Sequence, residues 1–237
     1  MRLKHLIRLI VPSILLFIPY LSAWSQEPDY REIFGKDWKK AEEFVATNEY
    51  WMKPLLERQR IDYRITMAVI FPEIVRYSAL RDMMEITLLK ALYVNVGEEY
   101  ANFSIGNFQI KPSFATLVCE NEYSRILRRR GINIPDKKDF KTGRDFRSEI
   151  VKTLEDTRAE FNYIIVFMKI CDHMFDMSQM TDREKVVLIS TTYNYGFNHS
   201  LEEIQEMAGK HYFNIRLFSS ENYSYSEIAL CWYECSE

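Results

Sequence analysis

The sequence predicts an all-α (mainly α) fold. Glycine is scarce, seven in 237 residues, and no run alternates apolar and polar positions for long enough to suggest a sheet. Apolar residues instead recur at helical spacing along most of the chain. Residues 37–60, "DWKKAEEFVATNEYWMKPLLERQR", show that spacing, as do 62–77 and 80–93. A polar turn region, 95–107, comes next. The stretch 108–130 reads as helix, with Pro112 tolerated near its start. Residues 131–147, which include "GINIPDKKDFKTGRD", read as a loop, and 148–178 as the longest helix. Thr181 with Glu184, and Ser200 with Glu203, have the spacing of capping boxes, in which a hydroxyl and a carboxylate satisfy each other's backbone N–H groups. The first opens a helix that ends at Gly196. The aromatic-rich 216–237 tail reads as a short helix that a disulfide could clip.

The N-terminus bears on compartment. Arg2, Lys4 and Arg8 precede a mostly apolar run over 9–21, and Ala23 and Ser25 then place small residues before Gln26. This is the anatomy of a secretory signal peptide spanning 1–25. Thirteen residues interrupted by Pro12 and Pro19 are short for a membrane span, which needs about 20. The expected location is the periplasm or the extracellular space, with no stable membrane span after cleavage. The remaining chain carries 28 basic against 34 acidic residues, net −6. That balance speaks against a nucleic-acid partner, which favours a basic patch. "RILRRRG" at 125–131 is one local basic cluster, read as a solvated helix end.

Four cysteines, Cys119, Cys171, Cys231 and Cys235, allow two disulfides with three possible connectivities in an oxidising compartment. Cys119 and Cys171 lie in apolar helical patterns and read equally well as buried thiols. Neither the cysteines nor His173, His199 and His211 have metal-ligand spacing, so no metal or organic cofactor is expected.

Three stretches carry chemistry. In "MAVIFPEIV" (67–75), seven of nine residues are apolar, yet Glu73 follows Pro72 directly. An unpaired buried carboxylate is costly, so such a group finds a partner or takes up a proton. Arg76, three residues on, is the candidate partner. A carboxyl kept protonated near neutral pH is also what acid catalysis requires. In "SIGNFQIKPSFA" (104–115), Gly106 permits close backbone approach and Gln109 precedes a helix. In "TTYNYGFN" (191–198), Tyr193 and Asn194 fall at a helix end before Gly196. Rival acids are Glu85, on an amphipathic helix, and Glu98 and Glu99, either of which could act as a weaker second carboxylate.

The order of these stretches resembles the soluble lytic transglycosylase family, related to goose-type lysozymes. Glu73, Gly106, Gln109, Ile110, Pro112, Ser113, Ala115, Tyr193, Asn194 and Gly196 match its pattern of an acid in an apolar helix, then "GLMQ-I-x-P-S/T-x-A", then "A-Y-N-x-G". Ile74 stands where that family usually has serine, and Asn107 and Phe108 replace its "LM". The resemblance implies a lysozyme-like helical domain over 61–215, preceded by a helical extension at 26–60.

It also implies a substrate, the glycan strands of peptidoglycan, and cleavage of the β-1,4 bond between N-acetylmuramic acid and N-acetylglucosamine. Glu73 would protonate the leaving oxygen. The muramic acid 6-hydroxyl would then close on the anomeric carbon, leaving a 1,6-anhydro end. Gln109, Tyr193, Asn194, Gly106 and Phe108 are the expected substrate-binding residues. Two alternatives share the fold: a lysozyme-type hydrolase using a second carboxylate, and a non-catalytic glycan-binding or scaffold protein of the envelope.

Overall fold

The computed structural model describes residues 28–80, 84–120, 123–215 and 221–236. The expected signal peptide lies outside them. The described chain is all-α, with one two-stranded ribbon: α1 (Tyr30–Phe34), α2 (Lys36–Arg58), α3 (Tyr63–Leu80), α4 (Met84–Asn95), α5 (Pro112–Glu120), α6 (Tyr123–Arg129), α7 (Gly143–Glu155), α8 (Thr157–Met174), α9 (Asp182–Tyr195), α10 (Leu201–Met207), β1 (His211–Phe213), β2 (Tyr223–Ser224) and α11 (Tyr225–Cys235). Among the described residues, no helix is long and apolar enough to cross a membrane.

Helix α3 is the axis of the molecule. Every residue from Ile65 to Val75 is buried, and a helix apolar on all sides needs neighbours on all sides. Helices α2, α9 and α11 supply them. Trp38 of α2 packs edge-on against Phe71 at 4.7 Å, and Trp232 of α11 stacks on the same ring at 5.1 Å. Described residues between 30 and 56 and between 225 and 232 therefore contribute to the same core as α3. Asp62 starts α3 by accepting from the Ile65 N–H at 2.8 Å. Pro72 lies inside α3, where it lacks an N–H for the Ala68 carbonyl and its ring crowds that turn. The Tyr225 hydroxyl donates to the next carbonyl, Val69, at 3.0 Å.

A second group, α4, α5, α7 and α8, packs beside this axis and meets it where α8 touches α9 and where Trp51 of α2 meets Phe161 of α8 at 5.3 Å. Here the structure corrects the expected single helix over 148–178. The chain breaks at Asp156, which is extended (φ −90°, ψ 111°) and accepts from the Ala159 N–H. An Asp-Thr pair inside a continuous apolar period works as a new helix start. The expected helix over 108–130 likewise starts only at Pro112, because 105–110 form a tight hairpin closed by two Ile105–Ile110 backbone bonds of 3.0 Å. The expected loop at 131–147 contains a 3₁₀ turn, Lys137–Asp139, and yields to α7 at Gly143, capped by Thr142.

Both capping boxes form as their spacing implies, Thr181 with Glu184 and Ser200 with Glu203. All four cysteines are free thiols, so no disulfide clips the tail. Helix α11 is held instead by Trp232 on Phe71 and by the Tyr30 hydroxyl donating to Glu227 at 2.7 Å.

Candidate active site

Two buried acids face the same interior. Glu73 on α3 is 5% exposed, and Glu160 in the first turn of α8 is 0% exposed. Their surroundings differ. Burial pushes the Glu73 carboxyl up to about 7, against the smaller opposing pull of Arg76 and then Lys111. Arg76 Nη1 stands 3.7 Å from Glu73 Oε2, too long for a direct hydrogen bond, and Oε2 has no hydrogen-bond partner. Glu160 instead accepts from the backbone N–H groups of Asn107 and Phe108 at 2.9 and 3.0 Å. Burial raises its carboxyl well above the ordinary range, the backbone N–H groups oppose this, and the charge of Glu73 raises it further.

The hairpin between these acids is tied down on every side. Gly106 has φ +83°, and a methyl group there would overlap the Glu160 carboxylate, so only glycine admits this approach. Gln109 also sits in the left-handed region, φ +55°, at a cost on the order of 1 kcal/mol for a residue with a side chain. Its Nε2 donates to the Gly106 carbonyl at 2.7 Å. The Tyr193 hydroxyl donates to the Phe108 carbonyl at 2.6 Å. Phe108 is fully buried, 6.0 Å from the Phe44 ring and 5.5 Å from that of Phe161. Asn107 Nδ2 reaches the Thr157 hydroxyl at 2.7 Å.

No protein-family model, curated protein or solved structure matches the chain.

The structure therefore gathers Glu73, Gly106, Phe108, Gln109 and Tyr193 into one neighbourhood but redistributes their roles. Phe108 offers no face to a ligand, because it anchors the hairpin in the core. Tyr193 commits its proton to the hairpin and not to Glu73, although burial and then the charges of Glu73 and Glu160 raise its phenol well above its ordinary range. Asn194 lies one residue further along α9, and its amide faces the Tyr212 phenol of β1. Glu98 and Glu99 are exposed on a 3₁₀ turn away from this neighbourhood. Burial raises the Glu98 carboxyl, and its charged neighbours are Arg147, Glu120, Lys137 and Glu99, with Glu73 not among them. The side chain of Glu85 lies outside the described residues.

Sequence reasoning passed over Glu160 and Tyr225. Glu160 carries the signal that marked Glu73, an acid beside an apolar run ("EFNYIIVFM"), but the assumed long helix hid its place in a first turn. Tyr225 is fully shielded, and burial and then Glu73 raise its phenol well above the ordinary range. A hollow of about 460 Å³ on another face, lined by Arg58, Gln59, Arg130 and apolar side chains including Ile132, shares no residue with this site.

Proposed function

We propose that the chain is a peptidoglycan lytic transglycosylase of lysozyme-like fold, with Glu73 as its single acid/base. The observation that carries this reading is Glu73 itself: shielded, held near pH 7, and with one carboxyl oxygen free of hydrogen bonds. A carboxyl in that condition holds a proton at neutral pH and is free to deliver it. It would protonate the glycosidic oxygen of the bond between N-acetylmuramic acid and N-acetylglucosamine as that bond breaks. The resulting carboxylate would then take the proton of the muramic acid 6-hydroxyl as its oxygen bonds to the anomeric carbon, giving the 1,6-anhydro end. Arg76 and Lys111 stabilise the carboxylate between the two transfers.

A two-carboxylate hydrolase needs a second acid free to activate water or form a covalent bond. Glu160 is the near candidate, and it is fully buried and engaged by two backbone N–H groups. That engagement favours the single-carboxylate route, in which the substrate supplies its own nucleophile. Secretion to the periplasm or beyond, where peptidoglycan lies, belongs to the same reading.

Digestion of purified sacculi tests it. Wild-type protein is expected to release soluble fragments with anhydro ends, one water lighter than the reducing ends a hydrolase leaves, and Glu73→Gln none. Reducing ends would establish hydrolysis. Binding to peptidoglycan without any soluble product would favour an envelope scaffold instead.

A further inference from the structure

The site contains a second, less obvious contact. Arg76 lies three residues beyond Glu73 on α3, with its guanidinium carbon 5.4 Å from the Phe213 ring centroid. Phe213 belongs to β1, is 2% exposed, and packs against Tyr225 at 4.8 Å. The arginine is thus held between a buried aromatic wall and the acid, within the range where a cation is attracted to a ring face. Its Nε is buried without a hydrogen-bond partner, as is Glu73 Oε2.

We propose that Arg76, seated on Phe213, is the positioning residue of this site, holding the Glu73 carboxyl from 3.7 Å and setting the alkaline limit of its acid function. The proposal rests on the reading of Glu73 as the acid. The groups facing Glu73 are Arg76 on α3, Lys111 ahead of α5, Glu160 on α8, Tyr193 on α9 and Tyr225 on α11. Lys111 is exposed and screened by solvent, whereas Arg76 is only partly exposed and lies nearer the acid's low-dielectric interior. Glu160 and the two phenols supply no positive charge. Arg76 is therefore the dominant counter-charge.

The length of the contact matters to its action. A short Arg–carboxylate hydrogen bond would engage the oxygen and hold the ionised form. At 3.7 Å the guanidinium attracts the carboxyl from beyond hydrogen-bond length, so Oε2 is left without a hydrogen-bond partner. The ribbon of β1 and β2, which holds no residue of the acid machinery, reaches the acid through Arg76 and, by way of the Phe213–Tyr225 contact, through Tyr225.

Opposite charge favours the ionised carboxyl, so neutralising Arg76 raises the pH at which Glu73 loses its proton. An acid catalyst works only while protonated, so activity then persists to higher pH. In Arg76→Met, carbon-detected NMR of the Glu73 carboxyl in substrate-free protein is expected to titrate about one pH unit higher than in wild type, since a cation this close shifts such groups by about 1–3 units. The alkaline limb of kcat/KM should move in parallel with KM unchanged. Arg76→Lys, which keeps the charge and guards against a variant that does not fold, should restore most of the wild-type midpoint.

An unchanged carboxyl titration in Arg76→Met overturns the proposal. So does a KM about tenfold higher with the limb fixed, which makes Arg76 a substrate ligand. If the titration moves but neither protein releases product, the charge contact stands and the transglycosylase reading falls.

Discussion

Glu73 and Glu160 are the same residue type, both buried in helices among apolar neighbours, yet their surroundings are opposite. Around Glu160 every interaction points to fixed structure: two backbone N–H groups converge on it, and Gly106 makes room for its carboxylate. Around Glu73 there is a cation at 3.7 Å and no hydrogen bond to Oε2. Burial alone therefore does not make an acid chemically useful. What distinguishes a reactive acid from a structural one is whether its oxygens are already committed.

Exchanging the two acids for neutral residues should separate those roles. Glu73→Gln is expected to lower murein digestion by about 10²–10⁴-fold, the range typical of losing a general acid, with an unchanged helical circular dichroism spectrum. Glu160→Ala is expected to act through stability. It leaves the Asn107 and Phe108 N–H groups buried without acceptors, and each such donor costs about 1–3 kcal/mol. Urea unfolding should show a loss of roughly 2–6 kcal/mol on that basis. A Glu160→Ala protein as stable as wild type would show that the hairpin is not held by the Glu160 carboxyl.

The helical class and the place of Glu73 were legible in the sequence because both depend on short-range pattern. Scarce glycine, helical spacing and capping residues act within a few positions, and an acid inside "MAVIFPEIV" stands out locally. What escaped was long-range. Tyr225 meets Val69 across 156 residues of chain, and nothing in "NYSYSEIALCWYECSE" separates a tyrosine that braces the proline turn from one that merely fills core. Phe108 illustrates the same ambiguity: an aromatic residue in a binding motif reads equally as a sugar platform or as an anchor, and only its burial decides. Arg76 was visible as a partner for Glu73, but its seat on Phe213 was not, since the ribbon forms between segments that carry no sheet-like alternation.

The pH dependence of stability sharpens the contrast further. Glu73 ionises at about 7 in the folded chain against 4.5 when unperturbed. A carboxyl whose folded value is raised contributes stability that is fully present below about pH 4.5 and is lost as pH rises through about 7. The whole effect is roughly 3 kcal/mol. Glu160, also raised by burial, adds a loss of the same sign. Glu73→Gln should therefore remove the decline between these two pH values and be more stable than wild type at pH 8, by thermal melting. Parallel melting curves for the two proteins across that window would mean that the Glu73 carboxyl is not strained by burial.

The smallest expected effect concerns the hydroxyl of Tyr193. Its ring packs edge-on against Phe167 at 4.9 Å and would stay in place in Tyr193→Phe. Only the bond to the Phe108 carbonyl is lost, worth about 1 kcal/mol, or slightly more because that acceptor is buried. For a chain of this size that corresponds to a melting temperature lower by about 2–4 °C. Because the hairpin keeps the Glu160 bonds and the Gln109 bond to Gly106, digestion should fall by less than about tenfold, in keeping with a supporting hydrogen bond. A loss as deep as that of Glu73→Gln, at unchanged melting temperature, would instead make the hydroxyl a direct partner in proton transfer. A phenol would then stand beside the acid on the reactive side.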